Sequence, residues 1–279
     1  MCSRFPSRSR CLTGSPAPSW IDYRLTDPLV TPAQQEKFWR EKLVFLPDTF
    51  YIYDRFEHLP DVALSRGEYG LPESGFVFCC FNNYYKIEPE IFAVWMEILK
   101  GVPSSVLWLA GRNPAAVGNL RREAEVRGVS GERLVFAPFE ARERYRPRFR
   151  LADLFLDTPV FNAMPTACDA LAAGLPLLTL AGSAFPSHVA ASLLNAVRFP
   201  DGITDSLDAY RERAVHWGRN PAELRELKKR LLADPLNTPL FDTEGRVRQL
   251  EKAYQEMWRR YQAGLAPESF NVVAQPAPA

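Results

Sequence analysis

Between residues 75 and 200 the apolar positions fall into short unbroken runs, separated by stretches of helical spacing. The runs 76–81 (FVFCCF), 105–110 (SVLWLA), 134–137 (LVFA), 153–157 (DLFLD) and 176–180 (PLLTL) have strand length and lack alternation. That is the pattern of strands buried on both faces. Helical spacing occupies 88–100, 114–127, 166–173 and 186–196. Pro89 suits a first helical turn, and Gly128 and Gly174 are stop signals. Segment 141–149 reads as a short basic helix or turn. Strands alternating with helices predict an α/β domain with a Rossmann-like, doubly wound parallel sheet of five strands. In such sheets ligands lie beyond the carboxyl ends of the strands.

The flanks differ. Residues 42–54 (KLVFLPDTFYIYD) are rich in strand formers, and 55–74 form a connector punctuated by Pro60, Gly67, Gly70 and Pro72. After Ser206 the chain is helical over 206–218, 221–232 and 243–263. The last stretch aligns Val247, Leu250, Tyr254, Met257, Trp258 and Tyr261 in a stripe expected to face the core. Residues 1–19, with arginine, serine and proline but no acidic residue, read as a disordered leader. Residues 265–279 read as a flexible tail.

Composition narrows the function classes. Of 279 residues 47% are hydrophobic, and 34 basic against 33 acidic side chains leave a net charge of +1. No bulk charge marks a nucleic-acid or membrane-surface partner. The longest apolar run, 170–182, is interrupted by Pro176 and falls short of the ~20 residues of a spanning helix. The five cysteines, at 2, 11, 79, 80 and 168, follow no zinc-site spacing. Cys79 and Cys80, inside an apolar run, read as buried thiols, and a reducing, cytoplasmic compartment follows as the default.

There is no nucleophile elbow, P-loop, G-x-G-x-x-G or metal-ligand cluster, and His58, His188 and His216 are scattered. Three segments carry candidate chemistry. In 156–191 a strand end leads through a loop to a helix starting near Thr166, where unpaired N–H groups suit a phosphate; Asp169, one turn in, could accept ribose hydroxyls. A plain capped helix fits the same residues. In 81–89 (FNNYYKIEP) Lys86 stands between a strand and a helix, within reach of a phosphate or solvated in a loop. In 138–150 five arginines surround Tyr145, able to hold a base and a phosphate, or forming a solvated basic face.

In this order and spacing the segments resemble the C-terminal catalytic half of the protein O-GlcNAc transferase and SPINDLY-like glycosyltransferases. The matching text is FCCFNNYYKIEP, SSVLWL, RLVFAP, LADLFLDT, DTPVFNAMPTACDALAAGLPLLTLAG and SHVAAS, with WIDYRLTDPLVTP and EKLVFLPDTFYIYD upstream. The resemblance implies a GT-B fold. Residues 20–74 would be a remnant of its N-terminal half with a connector, and 75–264 its nucleotide-sugar-binding half. It implies a UDP-GlcNAc donor without a metal, and transfer to Ser or Thr hydroxyls of an acceptor protein. Donor binding is implied for Lys86 at the diphosphate, Thr166 at the diphosphate-binding helix start, Asp169 at the ribose and Arg148 near the uracil. Arg142 stands for a family lysine and Tyr145 for a uracil-stacking histidine. No catalytic residue maps.

Where the family reads His-Thr-Thr this chain has Met164, Pro165 and Thr166, so proline removes one N–H from the anion site. His188 stands for a usual arginine. Most of the family's N-terminal half and its tetratricopeptide repeats have no counterpart in this sequence. The alternative reading is a non-catalytic fragment that binds UDP or a partner.

Overall fold

A computed structural model describes residues 20–54, 60–233 and 237–273; the expected leader lies outside them, as do Cys2, Cys11 and His58. The elements in chain order are β1 (Tyr23–Thr26), β2 (Lys42–Phe45), β3 (Phe76–Cys80), α1 (Pro89–Gly101), β4 (Ser105–Ala110), α2 (Pro114–Val126), β5 (Leu134–Ala137) and α3 (Arg142–Tyr145). They continue with β6 (Leu154–Leu156), α4 (Pro165–Ala172), β7 (Leu177–Leu180), α5 (Phe185–Ala196), β8 (Ile203–Thr204), α6 (Leu207–Arg219), α7 (Pro221–Ala233), α8 (Thr243–Gln262) and β9 (Phe270–Asn271).

The unbroken apolar runs become the centre of a six-stranded parallel sheet, ordered β5-β4-β3-β6-β7-β8. Every residue of β3 and β6 is buried, as strands covered by helices on both faces require. Gly128 and Gly174 stop α2 and α4 in the left-handed region, at φ +73° and +72°. The sheet has six strands rather than the expected five, since β8 adds a two-residue edge. From β3 the chain winds outward through β4 to β5; from β6 it winds the other way. The reversal opens a crevice between β3 and β6, at their carboxyl ends.

A second parallel sheet, β1-β2-β9, is packed by α8 through Tyr23, Leu25, Val44, Leu46, Ala253 and Met257. It corrects three expectations. Only Lys42–Phe45 of the strand-rich segment 42–54 is a strand. The tail is no loose end as far as β9, which pairs with β2 through Val44 and Phe45. On α8 the buried residues are Arg246, Ala253 and Met257, whereas Val247, Tyr254, Trp258 and Tyr261 are 43–51% exposed. The predicted stripe therefore holds at Leu250 and Met257, which pack into this core, and fails at the other four positions. Arg246 turns inward because its guanidinium donates to the carbonyls of Thr49 and Tyr51. Among the described residues no helix is long and apolar enough to cross a membrane.

One carboxylate joins the two parts. Asp27, fully buried after β1, accepts from the backbone N–H groups of Leu29 and Val30 on Oδ1, at 2.9 and 2.8 Å. On Oδ2 it accepts from the Phe50 N–H and from the Ser192 hydroxyl of α5, both at 2.7 Å. Burial raises its pKa and these bonds oppose the rise. Asp27→Ala would leave two buried N–H donors, of Val30 and Phe50, without an acceptor, and each such orphan costs about 1–3 kcal/mol. Urea denaturation is expected to show a loss of at least about 2 kcal/mol.

Candidate functional site

The site grows from the carboxyl ends of β3, β5 and β6. At the end of β6 Asp157 is fully buried, yet it lacks no partners. Its Oδ1 accepts from the Ala163 N–H at 2.7 Å and from Asn82 Nδ2 at 3.1 Å; its Oδ2 accepts from the Thr179 hydroxyl at 2.8 Å. Asn82 also donates to the Thr158 hydroxyl at 2.8 Å. The strand ends of β3, β6 and β7 are thereby tied to one carboxyl group. The bonds fold residues 158–164 into a loop that delivers the chain to α4. Burial dominates the titration of Asp157, raising its pKa from 3.8 to about 6 against the lowering effect of the hydrogen bonds.

Lys86 lies just past β3, in a short 3-10 turn. Its ammonium donates to the Asn162 carbonyl at 2.9 Å and sits 4.2 Å from the centroid of Phe161. Burial lowers its pKa, partly offset by the nearby charge of Asp157. Helix α4 starts with Pro165 behind Met164, and no side chain caps it. The N–H groups of Thr166 and Ala167 fall within the helix's first turn, where no intrahelical acceptor exists. Lysine and helix start are thus brought to the two sides of one loop.

The segment after β5 completes the rim. The hydroxyls of Tyr145 and Thr166 interact, and burial raises the Tyr145 pKa. Arg148 is buried, with its guanidinium 4.1 Å from the Phe81 ring and 4.4 Å from that of Tyr145. It donates to the Pro138 carbonyl at 3.2 Å, and burial lowers its pKa. Its charge faces the aromatic cluster and the Glu140 carboxylate, 3.7 Å away. Arg142 opens α3 on the exposed face. Asp169, on the fifth residue of α4, accepts on Oδ1 from the Tyr53 hydroxyl at 2.7 Å and from Arg146 Nε at 3.1 Å.

Contacts thus link Lys86 to the loop before α4, Tyr145 to Thr166 and Arg148, and Asp169 to Arg146. Four residues of this constellation were not singled out from sequence: Asn82, Asp157, Tyr53 and Arg146. Arg146 lies in the run of five arginines, where nothing in the pattern separates it from its neighbours; it is 2% exposed. Of the two described histidines, His188 is half-buried, with its pKa lowered by burial, and His216 is exposed beside Glu223 at 2.7 Å. Cys79, Cys80 and Cys168 are buried thiols, their pKa values raised by burial. Among the described residues no cluster of His, Cys, Asp or Glu is placed to hold a metal ion.

The model of glycosyl transferase family 41 matches residues 61–250. A probable UDP-N-acetylglucosamine–peptide N-acetylglucosaminyltransferase SEC of Arabidopsis thaliana is 38% identical over 266 residues, covering 93% of this chain and 27% of that protein. A UDP-N-acetylglucosamine–peptide N-acetylglucosaminyltransferase of Caenorhabditis elegans is 33% identical over 211 residues, covering 75% and 18%. The chain therefore spans about a quarter or less of these relatives' length. Among solved structures, a mutant O-GlcNAc transferase of Thermobaculum terrenum superposes with a TM-score of 0.84 at 26% identity, covering 92% of this chain and 49% of that one. WaaG, a glycosyltransferase of lipopolysaccharide biosynthesis, shares the fold at a TM-score of 0.54 and 18% identity, covering 85% and 64%. The six-stranded domain is the C-terminal, Rossmann-like half of a GT-B fold.

The raised pKa of Asp157 has a stability consequence. The folded chain holds this proton up to pH about 6, whereas the unfolded chain releases it near 3.8. Stability from this group is present below pH 4 and is lost as the pH rises through about 6, a change of about 3 kcal/mol. Urea denaturation between pH 4 and 7 is expected to show that decline in the wild type, and its absence in Asp157→Asn.

Proposed function

Because the chain belongs to glycosyl transferase family 41, we propose that its six-stranded domain is the donor-binding half of an O-GlcNAc transferase. Such an enzyme transfers N-acetylglucosamine from UDP-GlcNAc to Ser or Thr hydroxyls of proteins. The observation that supports this reading is that Lys86, just past β3, is bonded to the Asn162 carbonyl in the loop that leads from β6 to the uncapped start of α4, the helix that carries Asp169.

In this reading the diphosphate lies between Lys86 and the first turn of α4. The leaving group is UDP, so negative charge grows on the diphosphate as the bond to the sugar breaks. Lys86 and the N–H groups of Thr166 and Ala167 are fixed before that charge develops, which is how electrostatic preorganisation lowers a barrier. No metal is assigned to this role. Tyr145 offers a ring to the uracil, with Arg148 packed against it, and Asp169 takes the ribose hydroxyls. Arg142 adds positive charge at the rim.

Pro165 withholds one N–H from the phosphate. A charge-assisted hydrogen bond is worth about 1.5–3 kcal/mol, so the donor is held at least about tenfold less tightly than with a residue bearing N–H. Lys86 carries correspondingly more of the anion's binding. Calorimetry is expected to show that UDP binds the chain and that Lys86→Ala weakens it at least tenfold. Absence of binding, or equal affinity of the two proteins, overturns the reading.

A further inference from the structure

Asp169 is held by two residues from distant parts of the chain. The Tyr53 hydroxyl and Arg146 Nε both donate to its Oδ1, at 2.7 and 3.1 Å, and Arg146 Nη2 donates in turn to the Tyr53 hydroxyl. The three polar groups close a ring in which each touches the other two. All three are withdrawn from water: Arg146 is 2% exposed, Tyr53 8%, and the Asp169 side chain 14%. The Tyr53 ring is fixed edge-on against Phe241 at 5.6 Å, so its hydroxyl has little freedom to swing away. Arg146 follows α3 directly and precedes the buried Arg148 cluster, which anchors its backbone.

We propose that Tyr53 and Arg146 are positioning residues for ribose recognition. They hold the Asp169 carboxylate in one orientation, so that a nucleotide's 2′- and 3′-hydroxyls meet a prearranged acceptor. This inference rests on the donor-site reading given above. An unsupported carboxylate on a helix surface samples several rotamers and must be ordered when ligand arrives, at a cost in affinity. Here the ordering is done in the folded protein. The guanidinium also makes the bond to the carboxylate a charge-assisted one, at 3.1 Å. Neither residue need touch the nucleotide.

The test compares UDP with 2′,3′-dideoxyuridine diphosphate, which lacks both hydroxyls, by calorimetry on the full chain. The wild type is expected to prefer UDP at least tenfold. Tyr53→Phe keeps the ring and its packing but removes the hydroxyl; it is expected to cut that preference at least threefold, with affinity for the dideoxy ligand unchanged within twofold. Arg146→Met is expected to reduce the preference further, and Arg146→Lys to restore part of it. A general loosening of the fold weakens both ligands alike, and that outcome overturns the proposal, as does an unchanged preference in Tyr53→Phe. Should Arg146→Met fail to fold, the tyrosine variant decides alone. A wild type that binds both ligands equally overturns the ribose role of Asp169 and this proposal with it, leaving the donor site standing. A wild type that binds neither overturns the donor-site reading itself.

Discussion

The buried carboxyl group of Asp157 is the constraint on which the crevice depends. A parallel sheet that reverses its winding leaves two strand ends diverging, and the loops that follow them need a common reference. Asp157 supplies it by accepting from Asn82 at the end of β3, from Thr179 in β7 and from the N–H of Ala163 in the loop before α4. The position of the α4 start relative to Lys86 follows from these bonds, because Lys86 is fixed to the same loop through Asn162. The cost is electrostatic: burying the carboxyl works against its ionisation, and the hydrogen bonds recover only part of the loss.

Asp27 solves a similar problem for the small sheet. It binds two N–H groups just after β1, a third from the segment after β2, and a hydroxyl of α5. That places Tyr53 within reach of α4. The clasp on Asp169 is therefore a product of both parts of the molecule: Arg146 and Asp169 come from the larger domain, and Tyr53 comes from the chain leaving the smaller sheet.

What could be read from the sequence follows the physics of each element. The central strands were legible because burial on both faces leaves unbroken apolar runs, as in FVFCC. The ends of α2 and α4 were legible because glycine adopts the left-handed turn that stops a helix. β1 was not, because YRLT carries an arginine; Arg24 is buried by packing its guanidinium 4.2 Å from Trp39 and 4.7 Å from Phe185. β8 and β9, two residues each, are too short for any periodicity. The α8 stripe held only at Leu250 and Met257, because apolar spacing identifies a face without saying what it meets, and Arg246 is buried beside the exposed Val247. At the site, Lys86, Thr166 and Asp169 stood at recognisable junctions between strands and helices. Asp157 and Tyr53 gave no local signal, since their importance comes from partners between 6 and 116 residues away.

The small sheet also sets how the molecule answers to tension. β1 and β9 flank β2, all three run parallel, and among the described residues they are the first and last strands. A pull on the two ends draws the N-terminal end of β1 and the C-terminal end of β9 in opposite directions along the strand axis. The load falls on their hydrogen bonds to β2 in shear rather than peeling them singly. The crevice, carried by the six-stranded sheet, lies downstream of that fastening and is shielded from the strain until it parts.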